Sequence, residues 1–489
     1  MNNELFEALL NSTSLVQYQI DSYNRFLDMG LQRVVDAQGV IQPNVEGFAL
    51  KLGKIKVEKP VIIESDSSKR AIFPNEAKMR DLTYAAPIYL EMVPIIRGIE
   101  KSVAFGDVYI GNLPVMVKSN ICNIKNMPKS MLIENGEDPE DPGGYFIIRG
   151  SERVLIGVED IAPNRIITTK ERGGSVVKSR VFSTIFGFRY ECTVTRSRSG
   201  IFTVDFPNTP KSLELSLLLK GLGLSNEEII NYAKDSLVFK NDLILNLEES
   251  DAKDMSEKEA ITEIGRLSVP GQAKEYQQKI AETHIDNYLF PHIGKEAAVR
   301  LEKAKYLLQM ARKASLVANN LIKQDDKDHY ANKRVKFSGE LMEELFAHAF
   351  KFFVREVQYQ IERTTARGRK LSIQTIISPG VLTEKISYSM GTGSWPSGKT
   401  GISALLDKTN FVSMYANIRR VKSPLSKKHP NLKVREVHGT QYGKICASET
   451  PTGIEVGLTK YLAIGARPSV GADEGFVLKQ IESLKVVKK

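Results

Sequence analysis

Cysteine is scarce in this chain: 489 residues hold three, Cys122, Cys192 and Cys446, far apart in the sequence. No C-x-x-C pair exists, which argues against a disulfide framework or a thiolate zinc site and points to reduced thiols in a reducing compartment. No uninterrupted apolar run approaches the roughly 18 residues needed to span a bilayer. The N-terminus, MNNELFEALL, carries Glu4 and Glu7 where a secretory signal carries positive charge. A cytoplasmic protein with no membrane role is therefore expected. Internal repeats and low-complexity tails are also missing, and no nucleophile–base arrangement stands out. The remaining composition, 42% hydrophobic and 26% charged, is that of an ordinary globular protein with room for two or three domains.

Acidic residues are sparse in one place. Between 389 and 444 there are ten Lys/Arg (399, 408, 419, 420, 422, 427, 428, 433, 435, 444) against Asp407 and Glu436. That local +8 is most of the whole-chain +10, in about a ninth of the length. Charge so concentrated suggests a polyanion, usually nucleic acid. A solvated basic face or an acidic protein partner is the plainer reading of the same charge.

Periodicity alternates along the chain. Helical spacing runs through 4–37, and strands of period two through 47–118. ENGEDPEDPGG (134–144) is a loop, and YFIIRGSERVLIGVED (145–160) reads as a strand pair joined by Arg149 to Arg153. Residues 166–206 are β-rich, 211–236 helical, and the segment around EESDAKDMSEKEA (248–260) acidic and polar. Two further helices are expected over roughly 296–323 and 338–365. In the second, Leu345, Ala349, Phe353, Val357 and Ile361 form one apolar stripe, which implies packing on a core. The class this predicts is α+β and multidomain.

GSWPSGKT (393–400) satisfies G-x-x-x-x-G-K-[ST], the phosphate-cradling loop of nucleotide hydrolases. Such a loop needs a buried parallel strand delivering it to a helix N-terminus. The segment that would have to be that strand, ISYSM (386–390), alternates and is half polar, unlike a central parallel strand. Nothing downstream offers a second strand ending in a magnesium-binding Asp. The match is read as coincidental, a basic glycine-rich hairpin loop.

Further on, RRVKSPLSKKHPNLKVREVHGTQYGKICASETPTGIEVGL (419–458) resembles a signature of the second-largest subunit of multisubunit DNA-directed RNA polymerases. Four other stretches are similar to that family's blocks, in the same order: FPNEAKMRDLTYAAPIYLEM (73–92), GDVYIGNLPVMVKSNIC (106–122), GGYFIIRGSERVLIGVE (143–159) and QDDKDHYANKRVKFSGELM (324–342). The resemblance covers nearly the whole chain. A complete subunit of this kind is more than twice as long, so the chain resembles the N-terminal half found where certain archaea divide the subunit between two genes. It departs from the pattern at Ala331, Ala447, Thr452 and Glu455.

The resemblance implies a protrusion from 1–162 with 337–394, a lobe from 163–336, and a fork from 395–470. Residues 471–489 would begin the region that the other half-subunit completes. It implies that Lys399, Arg419, Arg420, Lys422, Lys427, Lys428, Lys433 and Arg435 contact DNA or RNA phosphates, that Asp328, Lys333 and Arg334 lie near strand-separated DNA, and that Glu449 faces the active centre. For DDKDHY a salt-bridged loop is the simpler reading, and His329 and His438 read as hydrogen-bonded structural histidines. No metal site and no catalytic residue is expected in this chain; Mg2+ would be held mainly by the largest subunit. Implied partners are the C-terminal half of the same subunit, the largest-subunit chains, assembly subunits, the DNA template with its RNA–DNA hybrid, and general transcription factors. The rival readings are a stand-alone nucleotide hydrolase built on GSWPSGKT, and an independent nucleic-acid-binding module.

Overall fold

A computed structural model describes residues 14–100, 105–171, 173–209, 211–369, 372, 376–396, 398–425, 432–471 and 474–484. Lys427 and Lys428 lie outside these residues. The chain forms two units, Met1–Asp160 with Val335–Lys489, and Ile161–Arg334.

The first unit opens with helix α1 (Gln17–Arg25), a π-helical turn (Phe26–Gly30) and α2 (Leu31–Gln38). Periodicity alone reads this stretch as one continuous helix. The interruption arises because buried Phe26 and Leu31 are five residues apart, and the Leu31 amide donates to the Phe26 carbonyl in π register. Three long antiparallel strands follow: β1 (Phe48–Val57), β2 (Ala85–Ile96) and β3 (Phe105–Pro114), with β2 between the others. Ala86, Ile88, Leu90 and Met92 are fully buried at every second position of β2, as a half-buried strand requires. β4 (Phe146–Ile148) and β5 (Ser151–Leu155) make the tight hairpin. Its link is only Arg149-Gly150, both at positive φ, 48° and 73°, the geometry whose twist suits a two-residue hairpin. Ser151 to Arg153 already belong to the strand, so the linking stretch is shorter than the sequence reading made it. β6 (Gly157–Ile161) leads away.

In the second unit, among the described residues, five antiparallel strands run in sequence order: β7 (Ile167–Lys170), β8 (Val177–Ile185), β9 (Phe188–Arg196), β10 (Phe202–Asp205) and β11 (Leu213–Glu214). Helices α3 (Leu215–Gly221), α4 (Asn226–Tyr232), α5 (Leu237–Glu248), α6 (Glu257–Ser268), α7 (Lys274–Tyr288) and α8 (Arg300–Ala318) follow. Ser225 and Ser256 start α4 and α6 with capping boxes to Glu228 and Glu259. One continuous apolar cluster, from Val177 through Val317, forms the core of this unit.

Back in the first unit, α9 (Ser338–Ala366) buries the expected stripe: Leu345, Ala349, Phe353, Val357 and Ile361 are all at most 2% exposed. Its first turn docks on α1 at backbone range, with Ser338 Oγ donating to the Gln19 carbonyl at 2.7 Å and the Gly339 amide to Ser22 Oγ at 3.0 Å. Then come α10 (Pro379–Thr392), β12 (Ser403–Leu405), α11 (Phe411–Ile418), β13 (Arg420–Lys422), the short α12 (Leu432–Arg435), β14 (Thr459–Tyr461) and α13 (Glu474–Ser483). No helix of the described residues is long and apolar enough to cross a membrane.

Candidate nucleic-acid interface

ISYSM is helical, which corrects any reading of it as a strand. Pro379 starts α10 and Gly393 ends it in the left-handed conformation at φ 77°, its amide bonded to the Ser389 carbonyl at 2.9 Å. Leu382, Ile386, Ser389 and Met390 then fall on the buried face. GSWPSGKT therefore runs from a helix into strand β12, the reverse of the strand–loop–helix order that a phosphate loop needs, and it is not a hairpin loop. Three of its amides are bonded locally: Trp395 N donates to the Lys399 carbonyl (2.8 Å), Gly398 N to the Trp395 carbonyl (3.0 Å) and Ser394 N to Thr392 Oγ1 (3.3 Å). The Trp395 indole is buried and donates to the Leu341 carbonyl of α9 at 3.2 Å. The amides of Gly393, Ser394, Trp395 and Gly398 are thus already taken by bonds within the chain.

Lys399 turns toward Asp160 at the end of β6, Nζ to Oδ2 3.9 Å. Beside this loop runs β13, pairing in parallel with Gly157–Val158 of β6 and antiparallel with β14. Strand alternation sends Val421 into the core and puts Arg420 and Lys422 together on the other face. Lys422 Nζ lies against Gly401, so the loop cation Lys399 and the strand cation Lys422 flank one short segment. The Arg420 guanidinium sits over the Tyr461 ring at 5.4 Å, and its Nε has no hydrogen-bond partner among the described residues.

Arg419 is a brace rather than a surface cation. It is 5% exposed and donates to the Leu15 and Ala463 carbonyls, both at 2.6 Å, and to Ile464 at 3.4 Å. Burial pushes its pKa down, with Tyr18 and Glu449 acting the other way. Arg435 is similarly committed, donating to the Ile454 and Val456 carbonyls at 2.6 and 2.9 Å. That ties α12 to the ETP turn. Gly457, at φ 68°, fits there because a side chain would run into the Arg435 backbone. Lys433 is exposed on α12.

Glu449 is exposed in that turn, its amide 3.4 Å from Cys446 Sγ. Desolvation raises the carboxyl pKa, opposed by Arg420 and Arg419. Two departures from the family pattern acquire physical descriptions: the Glu455 carboxylate accepts the Thr459 hydroxyl at 3.1 Å, and Thr452 precedes a 3-10 turn without capping it. Under this region lies a pair that the sequence reading missed, Lys460 to Glu159 at 2.9 Å, 7% and 4% exposed. Charge counting cannot distinguish such a buried pair from surface residues; its one signal is that Glu159 lies within the short strand β6, among buried neighbours.

Asp328, Lys333 and Arg334 belong to the second unit. Asp328 pairs with Lys333 at 3.5 Å, and Arg334 donates to the Ala331 and Lys333 carbonyls. Asp325 accepts from Lys313 Nζ (2.5 Å) and the Thr168 amide (2.7 Å), and Asp326 from the Asp328 amide (2.9 Å). The DDKDHY acids are thus held by internal donors, and no metal-ligand cluster occurs among the described residues. His329 and His438 each accept a backbone amide, from Ala331 and Thr440.

What this geometry defines is a set of strands and loops bearing cations, with no metal-ligand cluster among the described residues. The model of the RNA polymerase beta subunit matches residues 14–384, and that of RNA polymerase Rpb2 domain 3 matches 404–467. The chain belongs to this β/Rpb2 family of multisubunit DNA-directed RNA polymerase subunits, in the archaeal N-terminal-half form. It is 44% identical to DNA-directed RNA polymerase subunit Rpo2N of Methanocaldococcus jannaschii, over 99% of this chain and 98% of that relative. Identity to Rpo2N of Halobacterium salinarum is 39%, over 98% of this chain and 94% of the relative. To subunit Rpo2 of Saccharolobus shibatae it is 41%, over 99% of this chain but 43% of that longer relative.

Proposed function

We propose that the chain lines the nucleic-acid path of an assembled polymerase in the cytoplasm, holding DNA and the RNA–DNA hybrid by their phosphates and performing no catalysis itself. The observation that supports this best is the outward pair Arg420 and Lys422 beside Lys399, cations set on a strand and a braced loop. Phosphate contacts read no sequence, which suits an enzyme that must move along any template. Lys433, Lys427 and Lys428 extend the same charge, and Asp328, Lys333 and Arg334 are assigned to strand-separated DNA. Arg419 and Arg435 act indirectly, by fixing the backbone that carries these groups. Nucleotidyl transfer uses two metal ions to clamp the attacking and leaving oxygens. The largest subunit is assigned those ions, and Glu449 a place facing them.

The test is reconstitution with the partner subunits, namely the other half-subunit, the largest-subunit chains and the assembly subunits. The complete set extends an RNA primer with Mg2+, and the chain alone does not. Substituting both Arg420 and Lys422 by Ala lowers the salt slope of scaffold binding by about 0.7–0.9 for every phosphate left without its cation. Primer extension by the chain alone would refute the inert reading, and an unchanged slope would refute the phosphate contacts. ATP hydrolysis abolished by Lys399→Ala would revive the hydrolase reading that the loop geometry disfavours.

A further inference from the structure

Helix α9 carries a feature that neither the family blocks nor the basic segment includes. From Lys351 to Arg369, the helix and the turn that ends it hold five cations, Lys351, Arg355, Arg363, Arg367 and Arg369, against Glu356 and Glu362. Lys351, Arg355, Tyr359, Arg363 and Arg367 recur at every fourth residue, and all are exposed, Tyr359 at 55%. Each step of four turns the helix face by about 40°, so this stripe winds in step with the buried stripe of Phe353, Val357 and Ile361 and stays opposite it. The two acids leave a net +3, and each is held by a neutral donor: Glu356 accepts from Gln360 and Glu362 from the Asn44 amide. Arg355, Arg363, Arg367 and Arg369 form no ion pair among the described residues. Lys385 of α10 adds a sixth cation, 4.4 Å over the Phe352 ring. The field is felt locally: His348 has its pKa lowered first by burial and then by Lys385, Lys351 and Arg355.

We propose that this stripe is a binding surface for the phosphate backbone of double-stranded DNA, separate from the cations at 399–435. From residue 351 to 367 the helix advances about 24 Å, matching roughly seven phosphate steps of one strand at about 3.4 Å each. Each four-residue step advances about 6 Å, roughly two phosphate steps, so Lys351, Arg355, Arg363 and Arg367 can each meet a phosphate, with Tyr359 as a stacking or hydroxyl contact in the step between Arg355 and Arg363. The charge fits duplex DNA better than an acidic peptide because four cations spread over about 24 Å of rigid helix, a length set by the backbone as duplex charge is. The proposal rests on the polymerase reading and names a further contact within it.

The experiment uses the reconstituted polymerase and a linear duplex lacking a promoter, with affinity measured between about 50 and 200 mM salt. R355A/R363A/R367A is compared with the charge-keeping R355K/R363K/R367K, and each assembly is checked by gel filtration and melting temperature. The expected result is a slope of log K against log salt lowered by up to about 2.7 in the alanine variant and retained in the lysine variant. Equal slopes for wild type and alanine variant overturn the stripe as a DNA surface. So does an intact slope with lost binding of an acidic protein. Failure of the wild-type chain to assemble or bind duplex at all instead overturns the polymerase reading.

Discussion

His292 shows how a single residue encodes a pH response. Its Nδ1 lies 2.8 Å from Ser183 Oγ, and its ring packs between Phe290 and Tyr306. Burial, with a contribution from Lys303, lowers its pKa to about 4 from 6.5. The unfolded chain therefore takes up this proton first, so the stability contribution is complete above about pH 6.5 and is lost as pH falls toward 4. His284, lowered by burial, acts in the same direction. The melting temperature should fall between pH 6.5 and 4.5, and His292→Gln should flatten that slope. An unchanged melting temperature across this range would contradict the assignment. The same scale shows what residue type alone hides: Arg419 and Arg420 are neighbours of equal charge, yet one is a buried brace and the other a half-exposed cation. A count of basic residues treats them alike.

At the scale of elements, the dipeptide Ser338-Gly339 is an approach device. A methyl group on Gly339 would collide with the Ser22 carbonyl, so Gly339→Ala must push α9 off α1. Overpacking of this kind costs about 1–3 kcal/mol, and thermal unfolding should register it, whereas Gly391→Ala, with open space around it, should change little. Gly457→Ala should likewise loosen the ETP turn, faster amide exchange over 453–457 being the readout. Periodicity makes α9, the β8–β9 region and the β2 strand legible, because each buries one face at a constant spacing. It fails at α10, where Pro379 and Gly393 marked the ends but polar ISYSM obscured the helix. The π turn after α1 escapes for a related reason: a single extra residue shifts the register without changing the composition.

Across the whole molecule, Ile161–Arg334 has its own apolar core from sheet to α8. Expressed separately, it should melt cooperatively as a folded piece, with near-ultraviolet circular dichroism as the check. A non-cooperative, featureless melt would show that the core needs the remaining chain. Ordered family blocks along 73–458 made membership legible, and the uneven spread of net charge suggested a polyanion as one partner to test. Both are properties of the residues in order, independent of where the side chains end up. Only the tertiary structure decided which cations stay available. Carbonyls distant in the chain, Leu15 and Ala463, capture Arg419, and Ile454 and Val456 capture Arg435. It also decided against the phosphate loop, since that pattern acts when its amides lead from a strand to a helix, whereas here the order is helix to strand and the Trp395 and Gly398 amides close on their own turn. An eight-residue match records composition and spacing, whereas the direction of an amide is set by everything packed around it.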